Sequence, residues 1–297
     1  MITSFGDIGI IDLMVGVPDG DPGAWYRKYE GLLLDPASRG SFGKAAGHLF
    51  KDVPKLDPSV ASADGYIPFL IAQMDRHGVA RAMLPVRLDV DDIGRRAVAK
   101  HPDRFFGSYQ IDPNRGMEGV RELERAVRDA GARAATAFPC GYQPQVPIDD
   151  RKMYPFYAKC VELDVPIFVN AGVPGPRMRM DAQRVQLLDE VCWFFPELRI
   201  VTRHGCEPWA DLAIKLMRKY PNLYYSTSAF APKHYPRQII EYANDGDGAD
   251  RILYAGYFPS GLTFDRIFAE LPHVPFRDAV WPKFLRDNAR RVLKEAA

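Results

Sequence analysis

Cysteine is scarce in this chain and never clustered: four in 297 residues, at Cys140, Cys160, Cys192 and Cys206. Without a CxxC pair, neither a disulfide framework nor a zinc knuckle is indicated, and a reduced, cytoplasmic setting is expected. Surplus charge is missing as well. The 39 Lys and Arg balance 38 Asp and Glu, a net charge of +1, so nothing suits the chain to nucleic acid or another polyanion. No apolar run nears the roughly 18 residues that a membrane span needs. The opening MITSFGDIGI has no basic segment leading into an apolar one, so no signal peptide is expected. No Gly-rich turn follows the first apolar stretch, which weighs against an open dinucleotide-binding sheet.

What is present is an ordinary core-forming composition, 47% hydrophobic and 26% charged, with 25 prolines that suggest many fixed loops. Short runs rich in Val, Ile and Phe alternate with longer amphipathic segments. Strands are predicted at 9–14, 80–86, 105–111, 132–139, 165–170, 198–204, 223–228 and 251–256. Helices are predicted at 63–78, with Asp64 as N-cap, and at 90–102, 117–131, 149–164, 181–196, 208–221, 235–246 and 262–271. A helical tail over 277–297 ends the chain. Eight βα units at this spacing predict an α/β fold, a (β/α)8 TIM barrel forming one domain over 1–297. The stretch 19–62 is rich in Gly and Pro and lacks periodicity. It reads as a lid over the face where barrel sites lie, with a surface insertion as the alternative.

Several segments carry a family resemblance in order along the chain: IIDLM, MDRHGVARAMLP, HPDRFFGSYQIDP, ELERAVRDAGARA, MYPFYAKCVELDVPIFVNAG, LRIVTRHG, KYPNLYYSTSA, ADRILYAGYFP and LRDNARRVL. Together they resemble the amidohydrolase superfamily, on the branch of aminocarboxymuconate-semialdehyde decarboxylase and the resorcylate-type decarboxylases. The resemblance implies a metal-dependent-hydrolase-like barrel with its site at the C-terminal ends of the strands, one divalent metal in typical members, hydrolase or decarboxylase activity, and pairing as a homodimer.

Position by position, the family's metal site is degenerate. The two histidines of the first-strand motif are replaced by Met14 and Gly16, although Ile11 and Asp12 remain. The fifth strand ends in Asn170 where a His is usual. The sixth keeps His204. The eighth places Tyr257 where the family has an Asp that serves as ligand and acid/base. A catalytic zinc needs about three ligands from His, Asp, Glu or Cys. Thioether and amide oxygen are poor substitutes, so no metal and no other cofactor is expected. Ligands displaced to His48 or Glu207 have no support in the spacing.

The candidate pocket is therefore Met14, Gly16, Asn170, His204 and Tyr257. His204 is the candidate acid/base near neutral pH, with Tyr257 and Glu207 beside it, and an inert imidazole is the alternative. Asp12 shares the parity of Met14 and is expected to point inward, deeper. Arg203 is expected to face the helix layer or the strand rim in a structural salt bridge. Arg177 and Arg179, close to Asn170, are candidates for binding an anion. Glu207 is a candidate helix cap, and Cys206 has no paired base to make it a nucleophile. One functional expectation is a pseudo-enzyme that binds a small carboxylate or serves as accessory, folding or scaffold partner of an enzyme subunit. The alternative is a metal-independent hydrolase or decarboxylase, a carbon–carbon lyase that uses His204 on a small carboxylic or carbonyl substrate.

Overall fold

The computed structural model of the chain describes residues 5, 7–18, 28–35, 37, 49–50, 56–60, 62–89 and 91–295. Eight strands follow one another in space as in sequence, each parallel to the next. They are β1 (Ile10–Asp12), β2 (Val79–Pro85), β3 (Phe105–Gln110), β4 (Ala132–Ala137), β5 (Ile167–Asn170), β6 (Ile200–Arg203), β7 (Leu223–Ser226) and β8 (Ile252–Leu253). The helices that follow them are α1 (Ala63–Arg76), α2 (Ile93–Lys100), α3 (Gly116–Asp129), α4 (Tyr154–Glu162), α5 (Leu188–Phe194), α6 (Ala210–Lys219), α7 (Arg237–Ala243) and α8 (Phe264–Glu270). This is the (β/α)8 TIM barrel that the alternation predicts. At the seam, the Gly256 N–H donates to Asp12 Oδ1 at 2.8 Å, and the Gly16 N–H donates to the Phe258 carbonyl at 2.7 Å.

Period-two alternation divides the core. Ile11, Leu13, Met83, Phe106, Phe168 and Val201 fill the barrel interior. Their strand neighbours, such as Ile10, Leu84, Phe105, Ile167 and Ile200, pack outward against the helices. A fully buried Phe168 contributes about 1.5–3 kcal/mol. Ala289, Val292 and Leu293 from the tail join the interior cluster and close the end where the strands begin.

Three local expectations are corrected. The N-cap of α1 is Ser62, whose extended backbone lets its Oγ accept from the Gly65 N–H at 3.2 Å. Asp64 lies inside the first turn and pairs with Arg96 instead. The helix expected over 181–196 begins at Leu188, after single turns at Asp181–Gln183 and Val185–Leu187. Gln183 is drawn away by Gly172, whose N–H donates to the Gln183 carbonyl at 2.8 Å. The tail is not one helix: a π-helical turn, Lys283–Asp287, separates Val280–Pro282 from Asn288–Leu293. The Phe284 carbonyl accepts from the Tyr254 N–H beyond β8, and engaging a helical carbonyl from outside widens the turn.

Candidate active site at the barrel mouth

A cavity of about 2180 Å³ opens at the C-terminal ends of the strands. Met14, Ser108, Thr136, Asn170, Arg203 and Tyr257 bring six different strand ends to its wall. From the 19–62 stretch, Lys28, Tyr29, Leu49 and Phe50 also line it, and the Phe50 ring lies 5.4 Å from that of Tyr257. Most of that stretch, including His48 and so its reading as a lid, lies outside the described residues.

The mouth is built differently on its two sides. Beyond β1, Gly16 is pinned by its N–H to Phe258 and by its carbonyl, which accepts from the Tyr66 hydroxyl at 2.7 Å. A Cβ there would lie 2.9 Å from Ser260 Oγ. Asp12 does not point into the barrel with Met14, because Leu13 takes the interior position. Its carboxylate turns to the β1–β8 seam, where Oδ1 accepts from Met14 and Gly256. Burial pushes its pKa up to about 7, against the opposing pull of those two N–H groups and the Tyr254 phenol. Asp12 Oδ2 and the Tyr254 hydroxyl are both buried, and neither completes a well-formed hydrogen bond.

Across the cavity, Asn170 on β5 stands in register with Arg203 on β6. Arg203 shares the parity of Val201, an interior residue, so alternation carries it into the mouth rather than toward the helices. His204 follows at φ 64°, Gly205 at 91° and Cys206 at 58°. That left-handed turn brings His204 to the same cavity as its neighbour. Such a backbone costs about 1–2 kcal/mol at a residue with a side chain. It is held by the Ser228 Oγ, which accepts from the His204 N–H at 3.0 Å, and by the Cys206 N–H, which donates to the Ala171 carbonyl. Gly172 permits the close approach, since a Cβ there would lie 2.8 Å from the Cys206 backbone.

The charge state of this corner differs from expectation. Burial, reinforced by the adjacent Arg203 cation, pushes the His204 pKa down to about 3. The half-buried imidazole is therefore neutral at physiological pH, and its Nδ1 has no partner among the described residues. Arg203 has no salt bridge. No carboxylate pairs with it among the described residues, its Nε is buried without a partner, and burial lowers its pKa to about 10. Tyr257 stands edge-to-face with His204 at 5.7 Å. Burial raises its phenol pKa, partly offset by the Arg203 charge.

Of the remaining candidates, Glu207 lines the same cavity, while Arg177 and Arg179 are not in its wall. Glu207 is exposed at the rim and is not a helix cap, because α6 starts three residues later. Burial drives the Cys206 thiol up to about 12, leaving it protonated. Arg177 pairs with Asp35 at 2.8 Å and Arg179 with Asp181 at 3.3 Å. Neither is part of the cavity wall. Sequence reading missed much of the wall, Ser108, Thr136, Gln183 and Arg203 among it. Arg203 was legible from the parity of Val201. Gln183 gave no signal.

The described residues of the site do not supply a donor set that fits a divalent metal. Met14, Gly16, Asn170, His204 and Tyr257 offer one imidazole, and no group of three or more His, Cys, Asp or Glu among the described residues is placed to hold an ion. No helix among them is long and apolar enough to cross a membrane.

The family model described as Amidohydrolase matches residues 39–294. The chain belongs to the amidohydrolase family. Within that family, 2-keto-4-carboxy-3-hexenedioate hydratase of Sphingobium sp. strain SYK-6 is 31% identical over 127 residues, a match spanning 37% of each protein. Two solved structures share the fold over nearly their whole length. An uncharacterised TIM-barrel protein of Bordetella bronchiseptica superposes with a TM-score of 0.71 at 21% identity, covering 96% of this chain and 98% of that one. A 5-carboxyvanillate decarboxylase of Novosphingobium aromaticivorans, complexed with manganese and 4-hydroxy-3-methoxy-5-nitrobenzoic acid, gives 0.66 at 16% identity, covering 98% of both.

Proposed function

We propose that this amidohydrolase-family barrel is a metal-independent binder of small carboxylic acids, a pseudo-enzyme with respect to the family's metal chemistry, with Arg203 holding the ligand's carboxylate. The observation that carries this reading is the Arg203 guanidinium, which lines the cavity with no carboxylate partner among the described residues. A half-buried cation without a counter-charge is poorly compensated, and a carboxylate ligand supplies that charge in a charge-assisted hydrogen bond.

A second reading, a metal-independent carbon–carbon lyase, is favoured by Tyr257. Its phenol stays protonated and stands beside His204, so a proton donor faces the same cavity. The position of Arg203 limits this chemistry. A guanidinium that grips the departing carboxylate stabilises the ground state, and only interactions that strengthen toward the transition state accelerate a reaction. In this reading Arg203 holds the oxyanion that develops, not the group that leaves. A role as partner subunit or homodimer draws on the adjacent exposed Trp193 and Phe194.

Titration calorimetry with 4-hydroxy-3-methoxy-5-nitrobenzoic acid, in the presence of a chelator, tests the first reading. Binding is expected without metal, and Arg203→Met weakens it about 10- to 100-fold. Binding that requires added manganese, or that ignores the substitution, overturns it. Release of carbon dioxide from the related hydroxybenzoic acids would select the lyase reading.

A further inference from the structure

We infer that the cavity takes a carboxylic acid with an apolar tail, its carboxylate at Arg203 and its tail laid along a water-exposed apolar rim that includes Leu49 and Val173. The inference rests on the reading that Arg203 holds the carboxylate.

The cavity's volume, about 2180 Å³, exceeds the roughly 300–1,000 Å³ usual for a small-molecule site. A single-ring acid held at Arg203 therefore leaves most of the mouth unfilled. The wall that remains is apolar where it meets water. Leu49 and Val173 both line the cavity, yet they are 60% and 51% exposed. Exposed large apolar side chains are few among the described residues. Scattered singly they mean little, but here Phe50, Pro174 and Pro176 extend them along one cavity wall.

Two routes join this rim to the cation. Tyr257 lies close enough to Arg203 for each to bear on the other's charge, and the Phe50 ring stands 5.4 Å from Tyr257, with Leu49 next to it in the chain. On the other side, the Val173 N–H donates to the Glu207 carbonyl at 2.8 Å. That bond ties residues 173–176 to the turn that begins at Arg203 and His204. The Gly172 N–H, bonded to the Gln183 carbonyl, fixes the same loop one residue earlier. The rim is thus built before a ligand arrives, and little ordering cost is left for binding. Its prolines have no N–H to offer a polar group. Glu207, exposed at the same rim, repels a second anion there. A charged head at Arg203 and an apolar tail at the rim match both ends of this gradient.

The test is calorimetry on the full chain with benzoate and the 3- and 4-alkylbenzoates from methyl to pentyl. In at least one series affinity is expected to rise about two- to fourfold per methylene, as for a partly to fully buried CH₂. The heat-capacity change grows more negative with tail length. Ending the tail in a second carboxylate removes the gain. Leu49→Ser and Val173→Ser change exposed positions, where a polar residue leaves the fold intact. Each lowers the gain per methylene while benzoate affinity stays within about twofold of the original. Affinity that ignores tail length overturns the inference. So does a gain that survives both substitutions together, which is the outcome if the tails settle on Trp193 and Phe194 instead. A rim covered by a second copy of the chain also overturns it: the tail then adds nothing, and Val173→Ser lowers the sedimentation coefficient. If instead Arg203→Met leaves benzoate binding unchanged, or benzoate and all its derivatives fail to bind, it is the carboxylate reading that falls, and the inference with it.

Discussion

At the end of the barrel where the strands begin, Arg199 reaches Asp164 at 2.7 Å, and Lys294 reaches the same carboxylate at 2.7 Å. Arg291 and Lys283 share Asp250, and Arg81 pairs with Glu295 from the tail. At the end where the strands finish, Arg203, His204 and Gln183 line a common cavity, and Arg203 Nε, His204 Nδ1 and Gln183 Oε1 have no partner among the described residues. Both ends carry ion pairs, Arg266 and Lys233 with Glu270 at the mouth among them, but Arg203 stands in a corner of the mouth with no ion pair among the described residues. Pairing at the closed end holds the tail against the barrel. In the proposed function, a ligand carboxylate supplies the counter-charge that Arg203 lacks at the open end.

Three measurements break or sharpen this contrast. The largest effect belongs to the shared interior between the two ends. Phe168→Ala is expected to cost about 3–5 kcal/mol in denaturant unfolding, and a loss below about 1 kcal/mol would mean that this layer is not the core that positions both ends.

The second is the pH dependence of stability, with an expected effect on the order of 2 kcal/mol. Asp12 titrates at about 7 in the folded chain against a usual 3.8. The folded state therefore binds the extra proton between pH 4 and 7, and stability from this group falls as pH rises through that window. His204 runs the other way: its pKa of about 3 against a usual 6.5 makes stability rise between pH 3 and 6.5. In Asp12→Asn the first effect is removed, so stability climbs with pH more steeply than in the parent chain. Parallel pH curves for the two proteins would contradict the burial of Asp12.

The smallest effect is the most direct comparison of the ends. Arg199→Met is expected to destabilise by about 1–2 kcal/mol, because it strips Asp164 of its better-buried partner. Arg203→Met is expected to stabilise by about 1 kcal/mol, because it removes a poorly compensated charge. Thermal unfolding of both variants reads the two signs, and equal signs erase the contrast.

The sequence by itself determined the barrel. Eight apolar runs at βα spacing carry periodicity, which is a property of neighbours along the chain and survives without tertiary information. It also determined the chemistry of single positions: Met14, Gly16, Asn170 and Tyr257 cannot become imidazoles or carboxylates in any fold. Boundaries were less well determined. The π-helical turn at Lys283–Asp287 and the late start of α5 depend on Tyr254 and Gly172 capturing backbone groups from a distance.

Only the tertiary structure decided what the surviving side chains are. Arg177 and Arg179, attractive by proximity to Asn170, are spent on Asp35 and Asp181. Arg203 points into the mouth because β6 keeps its alternation through Val201, and His204 joins it because the backbone turns left-handed. The charge state of His204 and the unpaired oxygen of Gln183 are set by desolvation and by which partners lie within about 3 Å. Those are distances between residues far apart in the chain, and no local pattern encodes them.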